Sequence, residues 1–385
     1  MAHITYLLGA GASANALPTY ANFRSRFVEF ANLICPYLEK KIGSNDNSKR
    51  DYQKMLDAIE NLSVELEFHR SPDTVAKKYF HKLENNALLH LKAILIVFFI
   101  FEQSINQKIE YKTERGFLGE PVFKHKRVID DRYDAFIASI LKPKKGFEFF
   151  ENISILTWNY DFQLELCYKH YAGCYWEAVQ ERINSIPYFG ADTKDLDPTE
   201  TFRIIHLNGV AISFPVNPPN DNGRNLLRKA IGISEYPIDD LFYIFSSIIN
   251  QTNGITCYPD KYLFFGWEHV DENGKPDKDF IIYKKSLEIA GKTDVLIVIG
   301  YSFPTFNNEI DRMLLNNMKK VRKIVIQSHQ PELISDSIRS LLNKSSFPES
   351  KVEKLFKYVS PDMGFYVPST DIMNADGGKI TLFSV

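Results

Sequence analysis

Ile4-Thr5-Tyr6-Leu7-Leu8-Gly9-Ala10-Gly11-Ala12-Ser13-Ala14 is the stretch on which the reading of the fold turns. Five apolar or β-branched residues run straight into two glycines two apart, the order of a buried strand and the tight turn that leaves it. Gly9, Gly11 and Ala14 fit the pattern G-x-G-x-x-[GA]. The first glycine permits the turn, the second lets a diphosphate approach the backbone, and the small third residue allows close packing. The same residues also suit a strand-to-helix turn that holds no ligand. Beyond a loop containing Pro18, Phe23, Phe27, Phe30 and Ile34 recur at helical spacing. A dehydrogenase would end its second strand in an acidic residue ~20 positions on. Glu29 has that spacing but falls inside the helical pattern, which counts against hydride transfer.

Further apolar runs at Ile153–Thr157, 202–207, Val295–Ile299 and 323–326 lack alternation, as strands covered on both faces do. Helical patterns follow two of them, at 162–170 and 308–319, and this alternation marks an α/β chain with a Rossmann-like, doubly wound parallel sheet and helical insertions. Residues 51–106 read as helical throughout, with Ser71 as an N-cap and Pro72 in the first helical position. We therefore expect one domain over 1–330, interrupted by a mainly helical insertion at about 36–150 and a second at about 213–292. The second holds a helical pattern at 239–249 and an aromatic run at 262–267. Residues 331–385 are expected to be a C-terminal extension packed on the core or at an interface.

Composition narrows the function classes. With 385 residues, 44% hydrophobic and 24% charged, the chain has ample material for a large core. A net charge of -2 gives no basic footprint for a phosphate backbone, so direct nucleic-acid binding is not expected. The Lys142, Lys144, Lys145 run reads as a solvated loop. Cys35, Cys167, Cys174 and Cys257 have neither Cys-x-x-Cys metal spacing nor the density of a secreted disulfide scaffold, and a reducing cytoplasm is the simplest setting. The N-terminus lacks the pattern of a signal peptide. The apolar run 93–101 is shorter than the ~20 residues of a membrane span and reads as a buried helix.

Polar residues then mark where chemistry could sit. Thr157-Trp158-Asn159-Tyr160-Asp161 emerges where an open parallel sheet exposes its ligand crevice, so Asn159 and Asp161 are either site residues or caps of the following helix. His206 and Asn208 stand two apart, on one face if the strand persists. After the run ending at Ile299, Gly300 allows close backbone approach and Ser302 offers a hydroxyl to ribose or phosphate; turn chemistry alone explains them equally.

In order and spacing, Gly9-Ala10-Gly11-Ala12-Ser13 with Ala16-Leu17-Pro18, Thr157-Trp158-Asn159-Tyr160-Asp161, and a histidine with Asn208-Gly209 resemble the sirtuin-like family. Within it the likeness is to the zinc-free NAD hydrolases of bacterial antiphage defence. Ser71-Pro72-Asp73-Thr74-Val75-Ala76-Lys77 is similar to a helix start in that group, and the likeness spans about residues 4–328. The resemblance implies that Gly9, Ala10, Gly11 and Ser13 hold the NAD phosphates, that Asn159 sits beside the nicotinamide ribose, and that Gly300 and Ser302 meet the adenosine side. Thr157 and Asn208 join the implied cofactor-binding set.

The family pattern ends in His-Gly, the histidine serving as general base. Here Asn208 holds that slot and His206 stands two residues before it. Asparagine takes no proton near neutral pH, whereas histidine, with an ordinary pKa ~6.5, does. Three readings stay open: His206 supplies the base from a shifted position, the motif aligns differently, or the step has been lost.

The implied activity is hydrolysis of NAD, as substrate and without a metal, to ADP-ribose and nicotinamide. Asn159 would hold the ribose and position water, His206 would accept a proton, and Asp161 would orient the cluster. Two alternatives remain: a catalytically silent sensor of NAD or ADP-ribose, and, less favoured, a protein deacylase, whose usual four-cysteine zinc module this cysteine spacing cannot build. The resemblance also implies restraint in a homo-oligomer or by a partner such as a HerA-type ATPase, a short Argonaute or a phage trigger protein.

Overall fold

The chain's structure, a computed structural model, describes residues 2–43, 48–104, 129–142, 148–173, 179, 183–186, 203–211, 238–250, 263–362 and 364–368. Its strands are β1 (Ile4–Leu8), β2 (Ile153–Thr157), β3 (Asn184–Ile186), β4 (Arg203–His206), β5 (Val295–Ile299), β6 (Lys323–Gln327) and β7 (Phe356–Val359). They form one sheet in the order β3-β4-β2-β1-β5-β6-β7, and every pairing is parallel. The expected Rossmann-like, doubly wound α/β fold is present.

Parallel strands buried on both faces need no alternation of polarity, which is why the sequence runs read as continuous apolar blocks. Leu7, Leu156, Ile205, Leu296 and Val298 point into one core; Tyr6, Leu8, Ile155, Ile204 and Ile297 point into the other. Helices α5 (Arg132–Ile140) and α6 (Gln163–Ala172) cover the second face. Helices α8 (Ile281–Lys292), α9 (Asn308–Asn317) and α10 (Pro331–Leu341) cover the first, and a short α11 (Glu349–Val352) precedes β7.

A third core belongs to a helical layer of α1 (Phe23–Ile42), α2 (Lys49–Phe68), α3 (Pro72–His81), α4 (Asn85–Ser104) and α7 (Ile238–Asn250). Phe98 on α4 is its hub, with the rings of Phe23, Phe27, Phe30 and Phe99 at 5.2, 5.3, 5.5 and 5.4 Å. Ser71 caps α3 as expected, accepting from the Thr74 amide. The apolar run of α4 extends further than expected: 19 residues, Asn85–Gln103, are long and apolar enough by length and composition to cross a membrane, though 72% of that window is buried inside the protein.

The expected boundaries shift. α1 runs through Pro36 to Ile42 and belongs wholly to the helical layer, so that layer begins before position 36. The expected second insertion contains α8, which is part of the sheet's own cover because Ile282, Tyr283 and Ile289 pack into its core. Nor does the sheet stop at 330: α10 and β7 complete it, with β7 paired to β6. Lys144, Lys145, Cys174, Cys257 and Phe202 lie outside the described residues. Lys142 is paired to Glu148 and Glu151.

β1 sits between β2 and β5, and its links diverge. The chain reaches β2 past α5 on one face, and leaves β5 for α9 on the other. The carboxyl ends of β1 and β5 therefore form the topological switch point, the place where open α/β sheets bind ligands.

Candidate active site

At the switch point the loops after β1 and β5 interlock. The Gly9 amide donates to the Ile299 carbonyl and the Gly11 amide to the Gly300 carbonyl, both at 3.0 Å. A Cβ at Gly9 would lie 2.6 Å from the Gly300 carbonyl oxygen, and one at Gly11 2.7 Å from the Gly300 Cα. Gly300 has φ of +62°, and a Cβ there would stand 2.4 Å from the Ala12 nitrogen. These glycines are required first by each other: only residues without side chains let the two turns touch. The result is a rigid double turn whose outer residues, Ala10 and Ser302, remain exposed and line a cavity.

Arg132, at the start of α5, braces this turn from behind. Its Nη2 donates to the Gly11 and Ala12 carbonyls at 3.1 Å each, and Asp130 holds the rest of the guanidinium. The guanidinium also lies 5.2 Å from the centre of the Phe365 ring. Sequence reading missed Arg132, because the turn that it braces, Gly11–Ala12, is more than a hundred residues away.

From the end of β2, the Trp158 amide donates to the Leu8 carbonyl at 2.9 Å, tying the second motif to the first. The Asn159 amide bonds to the Thr157 hydroxyl at 3.1 Å, and Asn159 Nδ2 donates to Ser13 Oγ at 3.3 Å. Ser13 Oγ is in turn 3.2 Å from the Tyr133 hydroxyl. Asp161 Oδ1 accepts from the Gln163 amide at 3.0 Å, closing the turn that leads into α6, whose N-cap is Phe162, and Asp161 also lines the site. Burial pushes its carboxyl up to about 6, opposed by the Gln163 amide, the Ser13 hydroxyl and His206. Asn159 and Asp161 line the cavity; Thr157 is not among its lining residues, and its hydroxyl fixes the Asn159 backbone instead.

The third motif separates. β4 ends at His206, and Gly209 follows at φ +68°, so the strand does not persist through Asn208 and the two side chains do not share a face. Asn208 turns into the cavity, its Oδ1 accepting from the Gly266 amide at 3.0 Å and its Nδ2 donating to the Trp158 carbonyl at 3.3 Å. His206 packs under α6, with Nε2 2.9 Å from Glu165 Oε1, and is not among the lining residues. The expectation that His206 faces the substrate as base is not met by this placement.

Behind the β5 loop lies a further buried group that sequence reading passed over as an ordinary helical residue. Asp311 accepts from Trp158 Nε1 at 3.2 Å and from the Tyr301 hydroxyl at 2.7 Å, and burial pushes its carboxyl up to about 8. It ties the loops after β2 and β5 together. Asn307 donates to Tyr301 rather than capping α9. Phe303 is held at φ +52°, a left-handed backbone that costs a non-glycine residue about 1–3 kcal/mol.

The cavity has a volume of about 1520 Å³, above the usual ~300–1,000 Å³ of small-molecule pockets, and so has room for an extended ligand such as a dinucleotide. Gly9, Ala10, Gly11, Ser13, Gly300 and Ser302 line it, with Asn159, Asp161 and Asn208. Arg70 and Asp73 of the helical layer close one side, and Ser328 and His329 after β6 the other. Among the described residues no group of three or more His, Cys, Asp or Glu side chains could hold a metal ion. Set beside known proteins, the chain matches no family model and no curated protein.

Proposed function

We propose that the chain is an NAD glycohydrolase that binds the dinucleotide across the loops after β1 and β5 and cleaves it to ADP-ribose and nicotinamide. The observation that carries this reading is convergence. Residues from five strand ends, those of β1, β2, β4, β5 and β6, spread over positions 9 to 329, line one cavity at the switch point, with an asparagine amide and a buried carboxyl at its floor.

Cleaving the bond between ribose C1′ and the nicotinamide nitrogen returns the bonding pair to the ring, which leaves neutral, and positive charge builds on the ribose. Asn159 orients the sugar and the attacking water. Water oxygen bonds to C1′, and its proton passes to the Asp161 carboxylate. Since His206 lies behind the cavity, the proton-accepting step goes to Asp161, whose raised pKa brings a carboxylate toward the operating range of a base. The double glycine turn fixes the diphosphate, so that binding energy becomes orientation.

The resemblance extends the reading to NAD depletion in antiphage defence within the cytoplasm, held in check by a homo-oligomer, a HerA-type ATPase, a short Argonaute or a phage protein. One observation favours the second reading, a silent NAD or ADP-ribose sensor: the only histidine of the third motif is outside the cavity lining. Nicotinamide release by the purified chain, alone and with its genomic neighbour, separates the two. The hydrolase releases nicotinamide, and Asn159→Ala lowers the rate by about 10²-fold or more, the scale of a lost positioning contact. NAD binding without release under every condition would leave the sensor.

A further inference from the structure

The order of the strands fixes where each end of a dinucleotide would lie. With the nicotinamide ribose at Asn159 and Asp161 after β2, and the diphosphate on the turn shared by β1 and β5, the adenosine falls beyond β5, over the end of β6. Three strand spacings of ~4.8 Å separate β2 from β6, about 14 Å in all, a span that suits two nucleosides joined by a diphosphate. Dinucleotide sites of this architecture commonly hold the adenosine ribose with an acidic residue ~20 positions after the glycine turn. Here that position is Glu29, which lies 3.9 Å from Arg26 on α1 and does not line the cavity.

An acidic residue reaches the β6 side from the other end of the chain. Asp362 is exposed and lines the cavity, on a loop pinned to the end of β6. Gln327, buried as the last residue of β6, donates through Nε2 to the Ser360 and Gly364 carbonyls and accepts through Oε1 from the Tyr366 amide, each at 3.0 Å. Phe365 is buried against Tyr133 and Phe136 of α5, and the Tyr6 hydroxyl of β1 donates to the Tyr366 carbonyl at 3.1 Å. The loop is thus held from three elements, with Asp362 at its open edge. Asp362 Oδ2 accepts from the Ser360 hydroxyl at 3.1 Å, and Oδ1 has no hydrogen bond among the described residues. Among those residues no lysine lines the cavity, and Arg70 stands on the helical layer. Arg132 lies against Phe365, but its guanidinium is taken up by Asp130 and the Gly11 and Ala12 carbonyls.

We propose that Asp362 is the acceptor for the adenosine ribose hydroxyls and selects a dinucleotide with a free 2′-hydroxyl over its 2′-phosphorylated counterpart. This rests on the NAD reading and narrows its substrate to NAD rather than NADP. A carboxylate only accepts hydrogen bonds, so it suits two hydroxyl donors. A 2′-phosphate would set a second anion against it, with no donor in place of the lost hydroxyl, and like charges brought together are a means of rejecting the wrong ligand.

The test is calorimetric titration of ADP-ribose and of ADP-ribose 2′-phosphate, neither of which carries the bond to be cleaved, into the full chain and into Asp362→Asn. The wild type should bind ADP-ribose about tenfold tighter or more, the scale of a hydrogen bond to a charged group. Asp362→Asn should weaken ADP-ribose and strengthen the phosphorylated ligand, closing most of that gap. Changes of opposite sign separate selection by charge from damage to the loop, which would weaken both ligands alike. Equal binding of the two by the wild type, a gap unchanged in Asp362→Asn, or loss of both ligands in that variant overturns the proposal and leaves the dinucleotide reading standing. Binding of neither ligand by the wild type overturns that reading and this inference together.

Discussion

Gly300 holds a left-handed backbone with its Cα pressed against the Gly9 turn, and this single residue shows how the site is built. Alanine there would bear about 1–2 kcal/mol for the backbone and about 1–3 kcal/mol for overpacking. Gly300→Ala should lower stability by about 2–5 kcal/mol in denaturant titration. A midpoint within error of wild type would refute the interlock. Residue identity was legible at such positions, since Gly9, Gly11 and Gly300 stand out after their strands. What the sequence hid was why they are needed: the turns pair with each other across nearly three hundred positions. His206 misled for a related reason. Its side chain follows Ile204 onto the face under α6, as the pleat dictates, while the strand ends one residue earlier than the apolar pattern and the turn beyond it brings Asn208 to the cavity.

At the scale of elements, β2 and β5 were readable to the residue because both faces are buried and the apolar run has clean ends. β3, with three residues, is too short to show a period, and β7 is a half-exposed edge whose Lys357 and Tyr358 break the apolar signature. The helical layer's bearing on the site was also out of reach of periodicity. Its α3 and α4 grip the loop carrying Asn159 and Asp161: the Tyr160 hydroxyl donates to Asp73, and Gln103 Oε1 accepts from the Phe162 amide at 2.9 Å. Tyr160→Phe should therefore lower turnover beyond any loss of folded protein and speed hydrogen exchange at the start of α3. Activity that falls only in step with the folded fraction would make this contact structural alone.

The whole molecule is a sheet with two covered faces and a helical layer joined to it around one cavity. A buried ion pair at 2.8 Å, Lys92 on α4 with Glu268, helps hold that seam, and Glu268 Oε2 accepts from the Phe265 amide next to the Gly266 that Asn208 grips. Packing of this kind makes the cavity a fixed feature of the fold, so an obstruction inside it should act on ligand alone. Ala10 is exposed on the cavity wall, and Ala10→Trp places an indole where the diphosphate is proposed to lie without disturbing the core. The direct test is calorimetric titration of ADP-ribose, which carries the same diphosphate and is not consumed, into wild type and Ala10→Trp, with melting temperatures recorded beside it. One molecule should bind the wild type, and binding should vanish in Ala10→Trp at unchanged melting temperature. Equal binding by both proteins, or none by the wild type, would contradict the assignment of this cavity to the dinucleotide.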